Sequence, residues 1–372
     1  MQTKPFHPPL RLLMGPGPSD VSPRVLQALC GPVIGHLDPE FLHLMDAIQF
    51  QLRQVFQTEN ALTLALPGTG SSGMEACLVN LVQPGDKVVV GVAGYFGERM
   101  AEVATRVGAN VVAVNGPWGE IVSEESVISA IHAEKPAVVA MVHAETSTGV
   151  CQPVERIALT ARAAGALTVL DTVTSLGTID VPIDQWGIDA AYSCTQKGLG
   201  CPPGLAPITF SERAVVAMAA RRTPVSSVYL DMHKLARYWG PERVYHHTAP
   251  VSLFYALHEG LSMVLEEGLA ARFARHRLHH TQLVEGLEQL GLTLLAPRAH
   301  QLPTLHAVRI PDGVDDMTIR RALLSQHGIE IGGGLGPLKG KIWRIGLMGE
   351  GSDTNHVFLL LAALKSVLAS HS

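Results

Sequence analysis

The chain has 372 residues, 47% hydrophobic and 16% charged, with a formal net charge of -5. That is enough apolar material for a sizeable core and two or three domains. The absence of any lysine/arginine block argues against a nucleic-acid partner, because phosphate-backbone affinity rests on clustered basic side chains. The opening stretch MQTKPFHPPLRLLMGPGPS has no apolar run long enough for a signal peptide or a membrane span. Its Pro and Gly density predicts an extended arm over residues 1–20. Strands are expected at ALTLAL (61–66), KVVVGV (87–92), NVVAVN (110–115), AVVAMVH (137–143), LTVLDT (167–172) and AAYSCT (190–195). Amphipathic stretches such as MEACLVNLV and PVERIALTARAAG lie between most of them. Continuous apolar strands are those of a sheet covered on both faces, so the reading is α/β, doubly wound. From about residue 255 the texture becomes one long helical pattern, then apolar runs and a final helix, NHVFLLLAALKSVLASHS. A large domain over 21–262 and a smaller α+β domain over 263–372 are expected. The five cysteines (Cys30, Cys77, Cys151, Cys194 and Cys201) are odd in number and scattered. They fit reduced thiols in a cytoplasmic protein, with no metal site.

LPGTGSSGMEA (66–76) contains G-x-G-x-x-G at Gly68, Gly70 and Gly73. A dinucleotide site needs an acid at the end of the next strand to hold a ribose. The first acid past KVVVGV is Glu98, about ten residues too late. A structural turn remains, or a single phosphate on backbone N–H groups at a helix start, where Thr69 and Ser71 add hydroxyl donors.

Lysine occurs eight times, and Lys197 sits in YSCTQKGLGCPPG, just past an apolar strand. It is either an ordinary loop lysine or a desolvated amine able to form a Schiff base. Asp171 ends the strand in LTVLDTVTSLG. It is either a helix N-cap or a buried carboxylate that needs a cation, such as the protonated ring nitrogen of pyridoxal phosphate.

Together Lys197, Asp171 and the glycine turn make a far more specific set. The chain resembles the class V, fold-type I aminotransferases, and within them the alanine–glyoxylate/serine–pyruvate group. The resemblance runs through MGPGPSDVSPRVLQAL, IGHLDPEF, GTGSSGMEA, HAETSTGV, LDTVTSLG, QKGLGCPPG, YHHTAPV and GGGLGPLKGKIWRIGLMG, from residue 14 to about 348. It implies a mainly parallel seven-stranded sheet between helices, and pyridoxal 5′-phosphate as cofactor. Lys197 would carry the cofactor and shuttle the proton, and Asp171 would pair with the ring nitrogen. Thr69, Gly70 and Ser71 would bind the phosphate, with Gln196 beside them. Ser147 and Val173 would flank the ring. Tyr245 and Thr248 would reach the phosphate of a neighbouring subunit, so that a homodimer shares its active sites. Arg344 would grip the substrate carboxylate, with Gly35 and Ser147 on the same side.

Two positions depart from the pattern: Phe96 stands where relatives often stack a Trp on the ring, and Ser71 where many have a His. The implied reaction is a ping-pong transfer from L-alanine or L-serine to glyoxylate or pyruvate. Ureidoglycine–glyoxylate and serine–glyoxylate transaminases share nearly every motif. A class V desulfurase or lyase is disfavoured by Gln196, where those place a His, and by the lack of a loop cysteine near the C-terminal domain. A 2-aminoethylphosphonate transaminase and a non-catalytic cofactor-binding protein are weaker alternatives. His246 and His247 would point to opposite faces of a strand, which argues against a metal pair. The acids of VLEEGLAARF read as a solvated face.

Overall fold

The computed structural model describes residues 7–371. Residues 1–6 of the expected arm, and Ser372, lie outside the described residues. The main sheet has seven strands: β1 (Leu62–Pro67), β2 (Lys87–Val92), β3 (Asn110–Asn115), β4 (Val138–Val142), β5 (Leu167–Asp171), β6 (Ala190–Tyr192) and β7 (Leu205–Phe210). Their spatial order is β1-β7-β6-β5-β4-β2-β3. All run parallel except β7, which is antiparallel to both of its neighbours. β4 and β5 are buried from end to end, as strands of a sheet covered on both faces must be, and β5 carries Thr168 and Asp171 into that interior. Six of the seven lie on the runs picked out from sequence. The seventh, β7, carries no such signal, because Pro207 sits inside it and proline argues against a central strand. Ser193 donates its N–H to the Pro207 carbonyl at 2.8 Å, and proline has no N–H to return.

Because β1, β2, β4, β5 and β6 point the same way, their carboxyl ends deliver five sequence motifs to one edge. The glycine turn follows β1, Phe96 follows β2, Ser147 follows β4, Asp171 closes β5 and Lys197 follows β6. Ligands of open α/β sheets bind outside that edge.

A second core lies beside a three-stranded antiparallel sheet made of β8 (Leu305–Arg309), β9 (Gly332–Gly333) and β10 (Ile342–Gly346), in the order β8-β10-β9. The long helical pattern after residue 255 is two helices rather than one, Val251–Glu267 and Leu269–Gln289. Gly268 breaks it with φ +81°, left-handed backbone that glycine adopts without a Cβ penalty. Leu257, Leu261 and Val264 of the first helix pack into the main core. Leu283 and Leu287 of the second pack into the smaller one, against Val357, Leu360 and Leu364 of the last helix. Residues 12–14 are tied down: Leu12–Leu13 pair in parallel with Ile329–Glu330, and Met14 is buried in the second core. Among the described residues no helix is long and apolar enough to cross a membrane.

Candidate active site

The glycine turn is built by space as much as by flexibility. Gly68 has φ +139° and starts the turn. At Gly70 a Cβ would stand 2.8 Å from Val173 Cγ2, and at Gly73 one would stand 2.9 Å from Tyr192 Cβ, so the helix Gly70–Leu81 can approach the sheet only with glycine there. Thr69 occupies the N-cap position without making a side-chain cap bond. Ser72 N–H and Gly73 N–H donate to the Thr69 carbonyl. Among the described residues Gly70 N–H and Ser71 N–H have no acceptor, so the helix start presents two backbone donors and a free hydroxyl to the cavity.

Thr69, Gly70, Ser71, Met74, Phe96, Asp171, Val173, Gln196 and Lys197 line that one cavity. Lys197 is 7% exposed. Its Nζ donates to Thr146 Oγ1 at 2.8 Å and Thr174 Oγ1 at 2.9 Å, and those two hydroxyls are 2.6 Å apart. Burial pushes the amine below the usual lysine range, opposed by Asp171 and Glu145 and reinforced by Arg344. This is no solvated loop lysine. Asp171 accepts the Val173 N–H at 2.8 Å on one oxygen and the Tyr192 hydroxyl at 2.7 Å on the other. Among the described residues it has no ion-pair partner, and burial raises its pKa to about 6.

Gln196 Oε1 is buried without a hydrogen-bond partner. Ser147 lies behind the wall rather than on it: its hydroxyl donates to Glu145 at 2.6 Å and accepts the Tyr95 N–H at 3.0 Å. Glu145 also accepts the Phe96 and Gly97 N–H groups, and so fixes the start of the helix that carries Phe96. Arg344, on β10, is 8% exposed, and its Nε donates to the Gly333 carbonyl at 2.7 Å. Its terminal nitrogens make no hydrogen bond among the described residues. Burial lowers its pKa to about 10, with Glu145 pulling the other way.

A model of the class V aminotransferases matches residues 26–338. The chain belongs to that family. It is 41% identical, over a 382-residue alignment, to the (S)-ureidoglycine–glyoxylate transaminase of Bacillus subtilis (strain 168), with 98% of this chain and 92% of the relative covered. An alanine–glyoxylate aminotransferase of Drosophila melanogaster is 38% identical over 372 residues, covering 99% and 94%. The crystal structure of an alanine–glyoxylate aminotransferase from Nostoc sp. matches with a TM-score of 0.97 at 52% identity, covering 99% of this chain and 98% of that one.

Five expected site residues of the aminotransferase are outside the lining of the Lys197 cavity: Ser147 and Arg344, described above, and Gly35, Tyr245 and Thr248. Gly35 and Thr248 line a second cavity with Val33 and His36, and Tyr245 lines a third with Val228 and Tyr229. His246 and His247 are on a loop, not a strand, and their Nδ1 atoms meet at 2.8 Å. Among the described residues no cluster of His, Cys, Asp or Glu could hold a metal ion.

The acids of VLEEGLAARF divide: Glu266 pairs with Arg24 at the surface, but Glu267 does not belong to a solvated face. It bonds Arg272 and Arg275, both at 2.6 Å. Arg272 is 3% exposed and donates to the Gly198 carbonyl at 2.7 Å and the Gly177 carbonyl at 2.9 Å. Arg275 reaches the Gly349 and Ser352 carbonyls. The cluster therefore pins the backbone next to Lys197 to the segment that follows β10. Arg272→Met leaves Glu267 with Arg275 alone and strands the Gly177 and Gly198 carbonyls, and should cost about 3 kcal/mol. A melting temperature within a degree of wild type would contradict this.

Asp171 sets a pH dependence. Its folded pKa, about 6, lies above the unfolded value near 3.9, so the native state holds the extra proton between the two. Stability of the cofactor-free protein from this group is full below about pH 4 and is lost as pH rises through about 6, on the order of 3 kcal/mol. Asp171→Asn should flatten that decline in apo-protein melts. An unchanged profile would contradict the assignment.

Proposed function

We propose that the aminotransferase binds pyridoxal 5′-phosphate in the Lys197 cavity. The observation that carries this is a buried, deprotonation-prone amine sharing one cavity with a buried carboxylate that has no cation of its own. The residues present fit the group. The unspent donors of Gly70, Ser71 and Thr69 suit a phosphate at a helix start. Gln196, whose buried Oε1 has no donor, would meet a phosphate with its Nε2 hydrogens once the side-chain amide turns over. Phe96 and Val173 supply apolar walls for a flat ring.

When bound, the cofactor supplies an electron sink for the substrate's Cα and a carrier for its amino group. Lys197 Nζ would hold it covalently and, when released, take a proton from the substrate Cα and return one on the product side. Thr146 and Thr174 keep that nitrogen aimed by accepting its hydrogens. Asp171 would sit against the ring nitrogen and keep it protonated, while Tyr192 and the Val173 N–H hold the carboxylate in place. Arg344 would take the substrate carboxylate through the terminal nitrogens left open by its Nε–Gly333 bond.

The amino donor is proposed to be L-alanine or L-serine and the acceptor glyoxylate or pyruvate. The Bacillus subtilis relative supports (S)-ureidoglycine as the alternative donor. A desulfurase role is disfavoured: no cysteine is among the residues that line the Lys197 cavity, and burial pushes the Cys151, Cys194 and Cys201 thiols up to about 12.

A homodimer is supported by one apolar surface: Val33, Leu37, Val228, Tyr229, Val244 and Tyr245 are exposed. Ring contact between His36 and Tyr245 joins its two segments. Tyr245, Thr248 and Gly35 lie on that surface, where they would serve a partner's site. The five free cysteines suit a cytoplasmic setting. Product analysis with each donor plus glyoxylate tests the assignment: glycine should accumulate with a stoichiometric 2-oxo acid. No glycine from L-alanine, L-serine or ureidoglycine would overturn the substrate class.

A further inference from the structure

The proposed phosphate pocket has a chemical deficit. A phosphate monoester carries about -1.5 to -2 charge at neutral pH, yet Thr69, Gly70, Ser71 and Gln196 are all uncharged. The dipole of one helix offers such an anion only about 0.3–1 kcal/mol, up to ~2 when partly buried.

A cation stands at the mouth of the turn. Arg99 lies in the helix Tyr95–Arg106, and its Nη1 is 3.4 Å from Ser71 Oγ. Its Nη2 donates to the Tyr95 hydroxyl at 2.8 Å. The guanidinium lies 4.9 Å from the centre of the Tyr95 ring and 5.7 Å from that of Phe96. Tyr95 thus fixes the arginine by both its hydroxyl and its face. Arg99 has no carboxylate partner among the described residues, and the nearby Glu102 is taken by Arg106. The Ser71 contact is long and off the strong range, so this arm of the fork is available.

We propose that Arg99 is the positive partner of the cofactor phosphate, oriented by Tyr95 and delivered over Ser71. The inference rests on the cofactor reading above and adds to it the residue that supplies the charge. Its fork would reach phosphate oxygens left over by the backbone donors. Since the contact is to phosphate alone, a cofactor without phosphate should not feel it.

The test compares two ligands on the full-length apo-protein. Wild type, Arg99→Gln and Arg99→Lys are each titrated with pyridoxal 5′-phosphate and with pyridoxal, following the near-visible absorbance of the bound ligand. Arg99→Gln should weaken pyridoxal phosphate roughly 10- to 100-fold, the range of a lost charge-assisted contact. Pyridoxal binding should change by less than about twofold, which also shows that the variant is folded. Arg99→Lys should fall between wild type and Arg99→Gln. Equal weakening of both ligands would make Arg99 a structural residue and overturn the proposal, as would no weakening of either. A wild-type protein that develops no band with either ligand removes the cofactor reading itself, and this inference with it.

Discussion

Lys197→Ala is expected to lower transamination turnover by at least about 10³-fold, with melting temperature nearly unchanged. Positioned proton transfer contributes about 10²–10⁴-fold, and loss of the covalent hold on the cofactor adds to that. The fold should tolerate the change for a local reason. Thr146 and Thr174 already meet at 2.6 Å and can satisfy each other, and the removed amine is one whose charge burial disfavours. Stopped-flow single turnovers with L-alanine separate this from slow product release. Turnover within tenfold of wild type would place the chemistry elsewhere.

Arg344→Ala is expected to reduce kcat/KM by about 30- to 1000-fold for donor and acceptor alike. Both substrates carry a carboxylate, and a pair of charge-assisted hydrogen bonds is worth about 2–4 kcal/mol. Arg344→Lys should recover only part of this, because a point charge cannot reproduce the planar fork. Affinity for pyridoxal phosphate should be unaffected, since Arg344 is absent from the lining of the Lys197 cavity. A variant that lost cofactor affinity while keeping KM for both substrates would contradict the role.

Much of the large sheet could be read directly because its strands are uniformly apolar and its turns carry glycine. Where a local rule and the tertiary structure disagreed, reading by pattern failed. Pro207 hides β7, and Gly268 interrupts a helical periodicity that resumes at the next residue. The two acids at 266 and 267 are alike in sequence, but only one turns inward to meet Arg272.

The candidate site divides in the same way. Lys197 and Asp171 stand out as charged residues beside apolar strands. Thr146 and Thr174, which hold the lysine nitrogen, carry no such signal: they are 28 residues apart and are joined only by the parallel packing of β4 and β5. Glu145 sits inside HAETSTGV, one of the recognised motifs, yet nothing in that string says that its carboxylate braces the helix carrying Phe96. Arg99 was invisible for a similar reason, since its partner Ser71 belongs to a different βα unit.

The central claim is that this aminotransferase carries pyridoxal phosphate at Lys197 and uses it to move an amino group. The most direct measurement is the near-visible absorption spectrum of the purified protein, recorded alone, after adding one amino donor, and again after adding glyoxylate. The account predicts a cofactor band that is lost with the productive donor, restored by glyoxylate, and absent from Lys197→Ala under all three conditions. A wild-type spectrum without that band, even with excess pyridoxal phosphate, or a band that no donor alters, would contradict it.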